Sequence, residues 1–328
     1  MCEEQTIWRR GFERGDQLTS MTNLVQMSVA TPSEQHLALE LVFSSLTPEL
    51  RRRQVAIIQQ QANGGLASLD GLLVARGRHG LMGATWVSVF PGRTAAVWPP
   101  RTVDRESSQV SAQLLHFADE YLFTHKVRLA QCLLEPDAGP DTFELISAGF
   151  EHAADLLYMA SSSETFPEGP PVHTLHFERY RPESEQLRLN ELLLSTYEGT
   201  LDCPALDGIR KPDDVLAGYQ ATGDSNSNHW YFIRDKIGDV GCLLLSDHPQ
   251  DDQWELIYVG FVPASRGQGW GLEATRQAQW MTSQAGRQRL VLAVDAANIP
   301  ALRIYSAAGF AAWDRRSVYL KVFADVAS

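Results

Sequence analysis

Between Glu183 and Gly199 the apolar residues Leu189, Leu192, Leu193 and Tyr197 recur at intervals of three and four. That spacing puts them on one helical face. A second helix is predicted over "PDDVLAGYQATG", residues 212–223. The pattern then tightens into short apolar runs, "HWYFIR", "VGCLLLS" and "WELIYVGFV", which read as strands. The last is apolar on both faces, as a central strand would be. Helical period returns with Leu272, Thr275, Ala278, Met281 and Ala285. "RLVLAV" reads as another buried strand. "NIPALRIYSAAG" reads as a short helix closed by Gly309, and "SVYLKVF" as the final strand.

The first half repeats this order. "ISAGFEHAADLLYMA" and "YSAAGFAAWDRRSVYLK" each carry Ala-Gly-Phe before an apolar tail, offset by 160 residues, and Pro140 pairs with Pro300 at the same offset. "LLVARGRHGLMGATWVSV" corresponds to "WYFIRDKIGDVGCLLLS", each a strand, a tight turn and a strand. Val110, Leu114, Phe117, Ala118 and Tyr121 supply the matching core helix. A repeat this long is a duplicated domain, not a solenoid unit. "SSSETFPEGPPVHT" has the composition of a linker, so the boundary is expected between Ala160 and Val172. The expected organisation is a flexible tail at 1–22, one domain at 23–165 and a second at 172–328. Each is α/β, a mixed and bent β-sheet flanked by helices. Met21 and Met27 are alternative starts.

A net charge of -12 argues against nucleic acid, whose binders need a basic face. Cys2, Cys132, Cys203 and Cys242 are scattered, with no CxxC pair, so neither a metal site nor a redox motif is expected. His173 and His176 face opposite sides of a strand and find no third ligand. No signal peptide and no run of membrane-spanning length is present, which predicts a cytoplasmic protein without membrane contact.

The densest local signal is "SRGQGWG", residues 265–271, between a strand and a helix. Several backbone N–H groups at a helix N-terminus, with glycines to let an anion approach, suit a diphosphate. Arg266 can add a charge-assisted contact. A dinucleotide fingerprint would need glycine at 272, where leucine stands, and no Gly-Lys-Ser/Thr follows for a P-loop. With Asn298, Tyr305 and "AAGF" following in order, "RGQGWG" resembles the signature of the GNAT superfamily of N-acetyltransferases, over about residues 175–325. The resemblance implies acetyl-CoA as acyl donor, no metal, and a diphosphate on the backbone of Arg266, Gly267, Gln268, Gly269, Trp270 and Gly271. It implies that the strand ending at Phe261 and Val262 splays from its neighbour to pair with the pantetheine amides, with Asn298 and Tyr305 also at the cofactor. In the first half "ESSQVS", residues 106–111, stands in place of the glycines, and Ala138 and Leu145 replace Asn298 and Tyr305. That half is expected to be a degenerate copy.

Acetyl transfer needs an acceptor amine without its extra proton and a proton for the departing thiolate. The resemblance puts Tyr305 beside the sulfur as general acid; otherwise it is a core aromatic. Glu255 stands eleven residues before Arg266, where the histone-acetyltransferase branch carries its base. Beside an apolar strand its pKa would rise; in solvent at the strand edge it would do nothing, and many members use a water chain instead. The loop 195–210 would cover the acceptor. Tyr197, Glu198, Asp202 and Asp207 are the candidate holders of a cationic amine there, unless that loop is only an acidic surface. Cys203 reads as a structural thiol. The expected activity is transfer of an acetyl group to a primary amine of a small molecule or peptide. The alternative is a non-catalytic acyl-CoA-binding or sensor module. A homodimer is compatible with either.

Overall fold

The computed structural model describes residues 25–65, 67–104, 108–171, 174–206, 208–223 and 229–324. The first half runs β1 (Gln26–Val29), α1 (Gln35–Val42), α2 (Pro48–Asn63), β2 (Leu72–Gly77), β3 (Gly80–Phe90), β4 (Thr94–Val97), β5 (Arg101–Thr102), α3 (Ser108–Thr124), β6 (Leu129–Leu134), α4 (Gly139–Ser147) and β7 (Glu151–Ser162). The second half repeats the order without β5. It runs β8 (His176–Arg179), α5 (Pro182–Tyr197), α6 (Pro212–Gln220), β9 (Trp230–Arg234), β10 (Asp239–His248), β11 (Gln253–Phe261), α7 (Trp270–Gln284), β12 (Arg289–Asp295), α8 (Ile299–Ala307) and β13 (Ala311–Val322). Among these residues no helix is long and apolar enough to cross a membrane.

The strands form one sheet in the order β1-β2-β3-β4-β6-β13-β7-β12-β11-β10-β9-β8, with β5 on β3. The two halves exchange their last strands. Among the described residues β7 pairs only with β12 and β13, and β13 only with β6 and β7. β13 is longer than its apolar pattern suggests, starting at Ala311 rather than Ser317. Its polar first half, Ala-Ala-Trp-Asp-Arg-Arg, is held by the ladder to β7, and the register shifts around Trp313.

In the second half α7 and α8 cover one face of the sheet. Ala274, Ala278 and Tyr305 pack there on Leu243, Leu245, Trp254, Leu256, Leu290 and Leu292. α5 and α6 cover the other face, where Leu189, Leu192, Leu193 and Leu216 meet Trp230, Phe232, Cys242 and Leu244. Each buried leucine contributes about 1.5–3 kcal/mol relative to exposure. Arg188 anchors α5 further by bonding Glu178 (2.8 Å) and Asp239 (2.7 Å) while lying over the Phe232 ring.

Candidate functional site

β11 and β12 start parallel and then part. Their ladder covers only Gln253↔Arg289, Trp254↔Leu290 and Glu255↔Val291. Beyond it β11 stays bonded to β10 on one edge, and β12 to β7 along its whole length. The register of β11 on β10 shifts at Ile257, which has no partner between Leu256 and Tyr258. A bulge of this kind bends the strand away from its neighbour. The wedge left open is a groove of about 470 Å³, lined by Leu256–Phe261, Ala293, Val294, Asn298 and Tyr305. Its β11 wall presents a strand edge facing no neighbouring strand, as a chain of amides would require.

At the groove's end the chain turns into α7. Gly267 and Gly269 have φ of 78° and 79°, which side chains other than glycine adopt at a cost, and open space lies where their Cβ atoms would be. Gly271 has a different reason: a Cβ there would meet Ile304 Cδ1 at 2.7 Å, so it lets α8 close on α7. Among the described residues no backbone acceptor takes the N–H groups of Gly267, Gln268, Gly269, Trp270 or Gly271. Five consecutive free N–H groups at a helix start form a nest for an anion, favoured further by the helix dipole. The residues present therefore fit a diphosphate. The Arg266 side chain is spent elsewhere. It donates to the carbonyls of Phe261 (3.0 Å), Gly199 (3.1 Å) and Thr196 (2.9 Å), tying the C-terminal end of α5 to this turn.

α8 brings the next two residues. Asn298 caps it, Oδ1 accepting the Ala301 N–H at 3.2 Å, and also lines the groove. Ala138, its counterpart in the first half, makes no such bond. Tyr305 is 9% exposed, with its ring against Phe310 and the groove before it. Burial, with the Asp202 charge nearby, pushes its pKa up, so its hydroxyl stays protonated.

A second pocket of about 300 Å³ opens beside the groove, under the loop after α5. Tyr197, Glu198 and Asp202 line it, while Asp207 lies outside the described residues. Thr200, Asp202 and Tyr258 belong to both cavities, so the two meet there. Asp202 is open to water through them yet surrounded by protein. Its Oδ1 accepts the Asp295 N–H (3.2 Å), and Asp295 Oδ2 accepts the Cys203 N–H (3.2 Å). Burial, and then the Asp295 charge, raise the Asp202 pKa. Cys203 sits at φ 45° with its thiol pushed up to about 11 by burial, which makes it a structural thiol rather than a nucleophile. The Tyr197 and Tyr219 hydroxyls bond each other at 2.8 Å, and Tyr258 bonds Thr196 at 2.9 Å.

Phe261, Arg266, Gly267, Gly271, Asn298 and Tyr305 thus share the groove. Gly269 lies on the adjoining cleft between α7 and α8; Gln268 is exposed, and Trp270 packs near Phe261. Val262 is turned away, its N–H bonded to Val240 O and its side chain against the α5 core. Glu255 lines neither cavity. Its carboxylate bonds His248 Nε2 at 2.9 Å instead of resting on an apolar wall. Tyr258 and Arg210 carry no signal of their own in the sequence, and Asp295 only that of an acid ending a strand. They come from three separate segments.

The first half cuts short the strand equivalent to β11. β4 ends at Val97, Pro99 and Pro100 follow, and Arg101 crosses to Asp141 on α4 with bonds of 2.6 and 2.7 Å. Gln109–Ser111 of "ESSQVS" fall in or before the first turns of α3, whereas Glu106 and Ser107 lie outside the described residues.

Residues 206–311 match the family model of the acetyltransferase (GNAT) domain. No curated protein matches the chain by sequence. A GCN5-related N-acetyltransferase from Sphaerobacter thermophilus superposes with a TM-score of 0.61 at 13% identity, over 91% of this chain and 95% of that one. A tandem GNAT protein from the clavulanic acid biosynthesis pathway gives 0.50 at 13%, over 91% and 98%. The GCN5-related glucosamine N-acetyltransferase region of a fungal multi-domain GH3 β-N-acetylglucosaminidase gives 0.56 at 15%, over 90% of this chain and 38% of that one. These likenesses are of fold. The chain thus has the fold of tandem GNAT proteins, and the segment that matches the acetyltransferase (GNAT) domain lies in its second half.

Proposed function

We propose that the protein transfers an acetyl group from acetyl-CoA to a primary amine by direct attack on the thioester. The observation that carries this reading is the junction of the two cavities at Thr200, Asp202 and Tyr258. A donor lying in the groove and an acceptor in the side pocket would meet there. Acetyl-CoA supplies the thioester carbon: an N–C bond forms, the C–S bond breaks, and CoA leaves as a thiolate. The free N–H groups of Gly267–Gly271 hold the diphosphate and the open edge of β11 holds the pantetheine amides. Asp202 takes the surplus proton of the ammonium. Its raised pKa brings it closer to the operating pH, where a base works best. Tyr305 donates a hydrogen bond to the sulfur, and its raised pKa keeps that donor in place. The second proton, shed by the nitrogen once it is bonded to the acetyl carbon, goes to the CoA thiolate, so ammonium, thioester and Asp202 carboxylate become amide, CoA thiol and protonated Asp202.

The test is thiol release from acetyl-CoA on incubation with a panel of primary amines. Release that requires both partners is expected. Tight acetyl-CoA binding with no release for any amine would leave a non-catalytic acyl-CoA-binding module in its place.

A further inference from the structure

The side pocket carries a cation that acetyl transfer does not use. Its walls are mostly hydrocarbon and tyrosine rings, with Leu193, Val215, Tyr197, Tyr219 and Tyr258 prominent. The Tyr197 and Tyr219 hydroxyls satisfy each other. Arg210 is the one basic residue on these walls and lines this pocket but not the groove. Its guanidinium makes a single bond, from Nη2 to the Asp214 carbonyl at 3.3 Å. Nε is buried without a partner, and no ion pair to Arg210 exists among the described residues. A half-buried cation without a counter-charge is costly, and an occupant bearing an anion would offset that cost.

The acid that would otherwise neutralise it is already engaged. The Asp214 carboxylate is gripped by Arg93 of the first half, Nε to Oδ1 at 3.0 Å and Nη2 to Oδ2 at 2.5 Å. The turn holding Arg93 is pressed on α6 so closely that a Cβ on Gly92 (φ 82°) would lie 2.1 Å from the Asp214 carbonyl oxygen. α6 is thinned in turn at Gly218, where a Cβ would meet Arg210 Nη2 at 2.9 Å. The degenerate half thus fixes the first turn of α6, and through the Asp214 backbone it fixes Arg210.

The pocket therefore carries both signs of charge, with Asp202 at the junction and Arg210 on the part that the groove does not share. We propose that the acceptor is an amine that also carries a carboxylate on an apolar body, Arg210 taking the carboxylate and Arg93 acting as the residue that positions Arg210. A planar guanidinium matches a carboxylate edge. A dianionic phosphate is disfavoured because Glu198 and Asp202 share the wall. The inference rests on the acetyltransferase reading for the amine end and adds the other end.

Matched probes test it: phenylalanine against phenethylamine, and leucine against 3-methylbutylamine. Affinity is read by calorimetry in the presence of CoA, and turnover by thiol release with acetyl-CoA. The carboxylate-bearing member of each pair should bind at least about tenfold more tightly. Arg210→Gln should shrink that ratio to under about threefold. Arg93→Gln should shrink it partly, through KM rather than kcat, while Arg93→Lys restores more of it. Equal or weaker binding of the amino acids to the wild-type protein, or an unchanged ratio in Arg210→Gln, would overturn the proposal even if amines are acetylated. Preferential binding of the amino acids without any turnover would support it while overturning the acetyltransferase reading.

Discussion

Tyr305 lines the groove from a helix that the first half matches with Leu145, so packing alone does not demand an oxygen there. Tyr305→Phe removes the donor and almost no volume. If the hydroxyl stabilises the thiolate, kcat should fall by about 10² to 10⁴, with acetyl-CoA affinity nearly constant. Normal turnover with a lowered melting temperature would instead make Tyr305 a core aromatic. Asp202 admits a test with a sign. Its pKa is higher in the folded chain than in the unfolded one, so the folded state binds the proton more tightly. Ionised Asp202 therefore costs stability above its unfolded pKa, about 3.9. Asp202→Asn keeps an oxygen for the Asp295 N–H and loses the charge. The variant should melt higher than wild type at pH 7, a gain that vanishes near pH 4, and its rate should fall and lose the acidic limb of the pH profile. A lower melting temperature at pH 7 together with unchanged turnover would remove Asp202 from the proton path.

At the scale of elements, the turn into α7 separates two uses of glycine that the sequence presents as one motif. Gly271 serves packing against Ile304, whereas Gly267 and Gly269 serve a left-handed backbone that leaves N–H groups free. Gly269→Asp tests the second use cleanly. Aspartate is among the residues that tolerate the left-handed region, and open space surrounds the Cβ position, so the fold should survive. A carboxylate beside the nest should weaken acetyl-CoA by at least about tenfold, on the order of 1.4 kcal/mol, with Gly269→Asn showing a smaller loss. Equal affinity in all three proteins would mean the diphosphate lies elsewhere. This turn, the helices and the strands were legible because each is local: period, glycine spacing and caps act within a few residues. The job of Arg266 was not legible. It reaches carbonyls up to 70 residues away, and an arginine before a glycine-rich turn looks the same whether it meets a phosphate or a helix end. The same holds for the union of Asp202, Tyr258 and Arg210 around one pocket, which only the packing of α5 and α6 on the sheet creates.

For the whole molecule, the repeat was readable at a fixed offset, but the strand exchange was not, because an apolar strand does not encode which edge it will join. The exchange gives the first half a task beyond the one proposed for Arg93. β12 is bonded to β7 over all seven of its residues but to β11 over only three. A strand from the first half thus holds β12 along its whole length on the edge away from β11, and removing that strand is expected to let the groove collapse. The reverse dependence is as strong, since among the described residues β13 finds every strand partner it has in β6 and β7. Cut between the halves, each fragment would keep a terminal strand with no partner and would bare the edge of an apolar strand, β6 in one and β12 in the other. Neither 23–165 nor 172–328 should then fold alone as a soluble monomer, and only the two expressed together should recover acetyl-CoA binding. The intact chain should unfold in one calorimetric transition, with van't Hoff and calorimetric enthalpies in agreement. The decisive measurement is the melting of 172–328 alone. A cooperative transition and intact acetyl-CoA affinity in that fragment would mean that β12 holds its place without β7. The opening between β11 and β12 would then be a property of the second half by itself.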